Sequence, residues 1–224
     1  MAVAGLAAGS IAGLVAVTDL RGERPVTPAA DTSTMPSYDP SVFPGSQACL
    51  NGMEQYRADI PPEMRAGAVL PDPEHASFVG FPEHGSDVQV RLLIFDGNAV
   101  VTCIVDRAAS SDDVVQPDSV GRPGLQPVTP AREQVILVEA GGSSETLGVG
   151  PGNTLYIGRV GEDVASVQAD LPDGTTVTGV LSDGWFMIDA PVADGVELHD
   201  SDLITWTLND GETRSAPATD LLQR

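Results

Sequence analysis

The sequence predicts a mainly β fold: antiparallel sheets joined by hairpins, with one short helix at the start of the folded part. Three observations carry this. Five Asp-Gly pairs punctuate the chain, at Asp96-Gly97, Asp173-Gly174, Asp183-Gly184, Asp194-Gly195 and Asp210-Gly211. Asp and Gly tolerate the positive φ angles that tight hairpin turns require. Short β-prone runs flank these pairs, and no helical segment long enough for a βαβ crossover lies between them. Hydrophobic residues make up 42% of the 224 and aromatics only 4%, so the core is built mainly from Val, Leu, Ile and Ala. That share supports a buried core and excludes wholesale disorder.

The first seventeen residues carry no charge and are dominated by Ala and Gly. As a helix they would span about 26 Å at ~1.5 Å per residue, close to the ~30 Å hydrocarbon core of a bilayer. Residues 1–18 therefore read as a transmembrane anchor or a signal segment, and the two alternatives stay open. A buried N-terminal helix is the plainer alternative, but no polar stripe marks a solvent face. Arg21 and Arg24 follow the apolar run and no base precedes it, the reverse of the usual orientation signal. The expectation is that a basic leader lies upstream of Met1. Residues 19–44 hold Pro25, Pro28, Pro36, Pro40 and Pro44 among Thr, Ser and Asp. Proline removes backbone donors and favours extended chain, so this stretch reads as a tether.

The folded part is expected over 45–213, with 214–224 as a C-terminal tail. A short helix over 46–57, capped by Ser46, places Ala48, Cys49, Met53 and Tyr56 at helical spacing, and Pro61 and Pro62 stop it. Strands are expected over 88–95 and 99–105, joined at Asp96-Gly97-Asn98. A polar stretch with four prolines follows, over 108–132. It is either one long surface loop or a boundary between lobes 45–107 and 133–213. Further strands are expected over 135–139, 155–160, 164–171, 175–181, 185–190 and 203–208.

The two cysteines, Cys49 and Cys103, show no Cys-x-x-Cys spacing of a zinc or thioredoxin-like site. In an exported chain an even pair is expected to form a structural disulfide. Closing a loop of about 55 residues would restrict the unfolded chain by roughly 4 kcal/mol. The alternative is a buried free thiol at Cys103, which sits in an apolar run.

Several of these features together resemble a known group of proteins. They are Cys49 on a short helix, Val100-Val101-Thr102-Cys103-Ile104-Val105, Gly158-Arg159-Val160 with Val164-Ala165-Ser166-Val167, Leu171-Pro172-Asp173-Gly174 and Asp183-Gly184-Trp185-Phe186. The chain resembles, over about 47–190, small membrane-anchored, uncharacterised extracytoplasmic proteins of actinobacteria, some encoded beside extracytoplasmic-function sigma factors. That resemblance implies a location and an architecture. It carries over no catalytic residue.

No residue pattern nominates chemistry. Gly148-x-Gly150-x-Gly152 is followed by the strand-like Leu155-Tyr156-Ile157, so no helix N-terminus would face a phosphate. His75, His84 and His199 lie in loop-like contexts without the i, i+4 spacing of a helical metal site. Asp200-x-Asp202 and Asp112-Asp113 lack the glycine and closing Glu of an EF-hand loop. Ser143-Ser144 follows Gly141-Gly142 in a turn, not a nucleophile elbow. Trp185 and Trp206 could stack a sugar or dock a partner, yet strand positions favour the core. No catalytic, cofactor-binding or metal residue is therefore assigned, and no cofactor is expected. Cys49 and Cys103 are the assigned pair.

Charge narrows the partners. Acids outnumber bases 32 to 11, all eleven bases are Arg, and the net charge is −21. Such a surface repels phosphate backbones, so nucleic-acid binding is excluded. The expected function is a membrane-tethered, extracytoplasmic, non-enzymatic interaction or sensory module, monomeric, held to the membrane by its N-terminal helix and facing an envelope or membrane protein. The alternatives are the outer domain of an anti-sigma-factor-like regulator, a secreted form, or a secreted hydrolase of unrecognised type.

Overall fold

Proline sets where the first helix begins. Pro44 has its φ already fixed for the first helical position and lacks only a donor that would be unused there. Helix α1 accordingly spans Pro44–Asp59, with Phe43 as its N-cap. Ser46, expected as the cap, lies inside the first turn, and its hydroxyl donates back to the Pro40 carbonyl. At the other end Ile60 is extended and donates its N–H to the Tyr56 carbonyl at 3.1 Å, just before Pro61. The computed structural model describes residues 39–63, 70–82, 88–97, 99–120, 128–142, 153–171, 173–191 and 202–223. Tyr38–Arg224 is one compact unit.

Among the described residues the chain is mainly β, in three antiparallel four-stranded sheets. The first sheet contains β1 (Ser77–Pro82), β2 (Gln89–Phe95), β3 (Val100–Asp106) and β4 (Ser119–Val120), in sequence order. Its two faces are both apolar. Leu92, Ile94, Val101, Cys103 and Val105 pack under α1 against Cys49, Leu50 and Met53. The opposite face, with Val79, Phe81, Leu93 and Val100, packs on Val138, Leu155, Ile157, Trp185 and Met187 of the second sheet. Burial on both faces explains why 90–95 reads as a nearly unbroken apolar run.

The second sheet has the order β5 (Val135–Gly142), β6 (Asn153–Val160), β10 (Trp185–Pro191), β9 (Val180–Ser182). The third has the order β12 (Thr213–Pro217), β11 (Leu203–Leu208), β7 (Val164–Asp170), β8 (Thr176–Thr178). These two sheets wrap around a shared core of Leu137, Tyr156, Val167, Phe186, Ile188, Ile204 and Trp206. At one side a single run of chain leaves the third sheet as β8 and enters the second as β9. The change of sheet falls at Gly179, where a Cβ would press on Ile188 Cγ1 at 2.8 Å. At the other side β12 leads into the short helix α2 (Ala218–Leu221), after which Leu222 bridges to Leu137 of β5 and Gln223 N–H donates to the Leu137 carbonyl at 3.0 Å. The result is a small barrel-like wrap filled by these side chains.

Turn chemistry follows the Asp-Gly pairs, in two forms. Asp183 (φ 49°) and Gly184 (φ 73°) make the two-residue turn between Ser182 and Trp185, both in the left-handed region. Asp173-Gly174 and Asp210-Gly211 instead belong to turns closed by a shared pattern of bonds. Gly174 N–H donates to the Leu171 carbonyl and Leu171 N–H to Thr175; Gly211 and Leu208 repeat this with Glu212. Asp96 and Gly97 belong to a wider connection between Phe95 and Val100, in which Ala99 N–H donates to Asp96 Oδ1 at 2.9 Å. Asp194-Gly195 lies outside the described residues.

Three expectations need correction. Residues 213–217 form β12 and 218–223 close the barrel, so 214–224 is no tail; Gly211 turns the chain back onto β11. The strand expected over 175–181 is two strands in different sheets, divided at Gly179. The stretch 108–132 is only partly loop-like: Val115 N–H donates to the Ala48 carbonyl, and β4 pairs with β3. Strand β1 was not expected at all.

Candidate functional site

The assigned pair comes together. Cys49 on α1 and Cys103 on β3 are disulfide-bonded with Cα atoms 6.1 Å apart, and both are fully buried. The helix turns Cys49 toward the sheet because it shares a face with Leu50 and Met53. Cys103 faces the helix by strand alternation with Val101 and Val105. The segment after β3 then crosses the helix. Asn51 Nδ2 donates to the carbonyls of Ser111 and Asp113, each at 2.9 Å. At Gly52 a Cβ would collide with the Val115 carbonyl, so only glycine admits the crossing.

An open groove of about 290 Å³ lies at the beginning of α1. Val42, Phe43, Pro44, Leu50 and Phe78 give it an apolar floor and walls, and Ser41 and Ser111 stand on its sides. Two aspartates lie two positions from Ser41 and Ser111 in sequence, each held by a local bond. Asp39 Oδ1 accepts from Ser41 N–H at 2.9 Å and from the Ser41 hydroxyl at 2.6 Å, which keeps the carboxyl below its usual range. Asp113 Oδ2 accepts from Ser110 N–H at 2.7 Å.

A second polar assembly sits between the first sheet and the barrel. Arg91 of β2, its side chain only 6% exposed, donates Nη1 to Asp118 Oδ2 at 2.5 Å and Nη2 to Asp189 Oδ2 of β10 at 2.8 Å. Asp189 Oδ1 is buried and without a hydrogen bond. Beside it, Arg159 lies over the Trp185 ring at 5.5 Å, and Trp185 meets Phe95 with ring centroids 4.6 Å apart. Inside the barrel the Tyr156 hydroxyl donates to Asp202 Oδ2 at 2.6 Å, while Asp202 Oδ1 is buried and unbonded. Burial, and then the hydrogen bond to Asp202, push the Tyr156 pKa far up.

The remaining candidate residues are dispersed. Trp185 and Trp206 are both buried; Trp206 Nε1 donates to the Glu133 carbonyl at 3.0 Å, so neither offers an open stacking face. His75 is exposed and bonds Asp72 at 3.0 Å, a contact that, with the Glu74 N–H, lowers the Asp72 pKa. Asp112 and Asp113 are surface residues of the segment over α1. His84, His199, Asp200, Ser143, Ser144, Gly148, Gly150 and Gly152 lie outside the described residues. Among the described residues no group of three His, Cys, Asp or Glu is placed to hold a metal ion. The Arg91 assembly escaped the sequence reading. Its signal was present: one base inside the apolar run of β2, and one acid inside that of β10.

Comparison with protein-family models, with curated proteins and with solved structures gives no match.

Proposed function

We propose that this chain is an extracytoplasmic domain held at the cell membrane, which acts by binding an envelope protein and carries out no chemistry itself. The observation that carries the reading is the Cys49–Cys103 bond, buried in the packing between α1 and the first sheet. Disulfides of this kind form and persist in oxidising compartments. The uncharged run over 1–17 and the proline-rich stretch over 19–44 supply the sequence side of the argument: an anchor followed by a spacer. Among the described residues no helix is long and apolar enough to cross a membrane. The resemblance to small membrane-anchored actinobacterial proteins points the same way. The strong negative charge favours a basic partner over an anionic one.

Expression of the full chain in a bacterial host, with carbonate extraction of membranes and protease treatment of spheroplasts, tests this. The reading expects membrane retention, cleavage of the folded part from outside, and no thiol alkylation before reduction. Recovery in the cytosol with two free thiols would overturn it.

A further inference from the structure

We propose that Asn51 is a latent deamidation site: its amide is preserved while α1 is folded, and opening of the helix converts it irreversibly to aspartate or isoaspartate. Asn51-Gly52 is the one Asn-Gly pair among the four asparagines of the chain. Glycine has no side chain to crowd its own nitrogen, so that nitrogen readily reaches the preceding asparagine side chain. The fold admits no other neighbour, because a Cβ at Gly52 would collide with the Val115 carbonyl. Within α1 the reaction is held off. Both residues lie in the helix interior, where the Gly52 N–H points back along the axis and away from the Asn51 side chain. Every polar atom of the Asn51 amide is also engaged. Oδ1 accepts from Gln47 Nε2 at 2.9 Å, and Nδ2 donates to the carbonyls of Ser111 and Asp113, each at 2.9 Å. With the Val115 N–H donating to the Ala48 carbonyl at 3.0 Å, these bonds latch the segment over 111–115 onto the helix.

When α1 opens, the Gly52 nitrogen bonds to Asn51 Cγ, the Cγ–Nδ2 bond breaks, and the proton of that nitrogen leaves with ammonia. Water then opens the cyclic imide at either carbonyl, returning a proton to the nitrogen and leaving a carboxylate. A carboxylate accepts hydrogen bonds and donates none, so it cannot hold the Ser111 and Asp113 carbonyls again. Isoaspartate also lengthens the backbone inside the helix. The site therefore keeps a covalent record of losing the disulfide that holds α1.

Peptide mapping by mass spectrometry, after incubation in mildly alkaline buffer, tests this on the full chain. Three samples are compared: the folded oxidised protein, the same protein in denaturant, and the Cys49→Ala, Cys103→Val variant. Asn51 should convert at least about tenfold more slowly in the folded oxidised chain than in denaturant. The variant should convert at least about tenfold faster than the oxidised chain, while Asn209, in the turn after β11, converts equally slowly in both. Asn51→Asp, with the disulfide intact, should lose hydrogen-exchange protection over 111–118 and keep it in β6 and β10. Conversion in the folded oxidised chain as fast as in denaturant would overturn the inference. So would a variant no faster than the oxidised chain, or a fully protected segment in Asn51→Asp. The first comparison uses no substitution, so it decides the matter where a variant fails to fold.

Discussion

The two halves of the folded unit solve the same problem by different means. The barrel closes on itself, and its core holds Tyr156, Phe186, Ile188 and Trp206, all contributed by strands. The first sheet is covered on its outer face by one helix, which contributes Cys49, Leu50 and Met53 with Tyr56 packed against them, and by Leu70 and Val115 from other segments. A helix with so few large apolar side chains buries too little surface to be held by packing alone. The disulfide and the chain crossing at Gly52 make up the difference. Between the halves lies a mixed layer, apolar around Trp185 and ionic around Arg91. The comparison teaches that the cysteines sit where the hydrophobic core is thinnest.

The largest expected effect is at the layer between the halves. Arg91→Ala strands the Asp189 carboxylate in a buried site and should cost about 3–5 kcal/mol in denaturant unfolding. Arg91→Met combined with Asp189→Leu should recover most of that loss, because both charges leave together. A double variant as unstable as the single one would show that the ionic contact itself holds the halves together.

Removing the staple comes next. Cys49→Ala with Cys103→Val should cost about 2–4 kcal/mol by melting, concentrated in the helix half. Within the barrel, Tyr156→Phe leaves Asp202 with no donor to either oxygen and should cost about 1–3 kcal/mol. Tyr156 also gives an alkaline signature. Its folded pKa is raised, so the stability it contributes is complete below the unfolded value near 10 and falls as pH rises above it. Absorbance titration should show one of the three tyrosines ionising only as the fold is lost. Smaller still is Gly184→Ala, which puts a Cβ at φ 73° and should cost about 1–2 kcal/mol on melting. The smallest effect is at acid pH. Asp39, Asp72, Asp163 and Asp173 have lowered folded pKa values, from bonds to Ser41, His75, Arg132 and Thr175 respectively. Their contribution is present above the unfolded carboxylate range and declines as pH falls through the folded values. All four lie at the surface, with only Asp163 half-buried, so melting temperature should fall only slightly between pH 5 and pH 3 from this source.

Local chemistry was legible in the sequence, and non-local chemistry was not. The Asp183-Gly184 turn and the strands over 164–170, 185–191 and 203–208 followed from turn residues and alternation, which act within a few positions. The cysteine pair followed from count and context. Strand β1 escaped notice because Gly80 and Pro82 dilute its apolar residues, leaving Phe78, Val79 and Phe81 without a clean period. The split at Gly179 was hidden because a change of sheet depends on how two layers meet, not on the run itself. Arg91 and Asp189 are separated by 98 positions, and Tyr156 and Asp202 by 46. No periodicity relates residues that far apart; only the folded topology does. The groove was illegible for the same reason, since residues around 41–50, Phe78 and Ser111 meet only after the sheet forms.

The central claim is that the disulfide, and not packing alone, holds α1 on the first sheet, whereas the barrel is self-sufficient. Native hydrogen exchange read by mass spectrometry tests it most directly, on the full chain and on the Cys49→Ala, Cys103→Val variant. The expected result is loss of protection in α1 and in the segment over 107–118, with β6, β10 and β11 protected as before. Uniform loss across both halves, or protection of α1 unchanged in the variant, would contradict it.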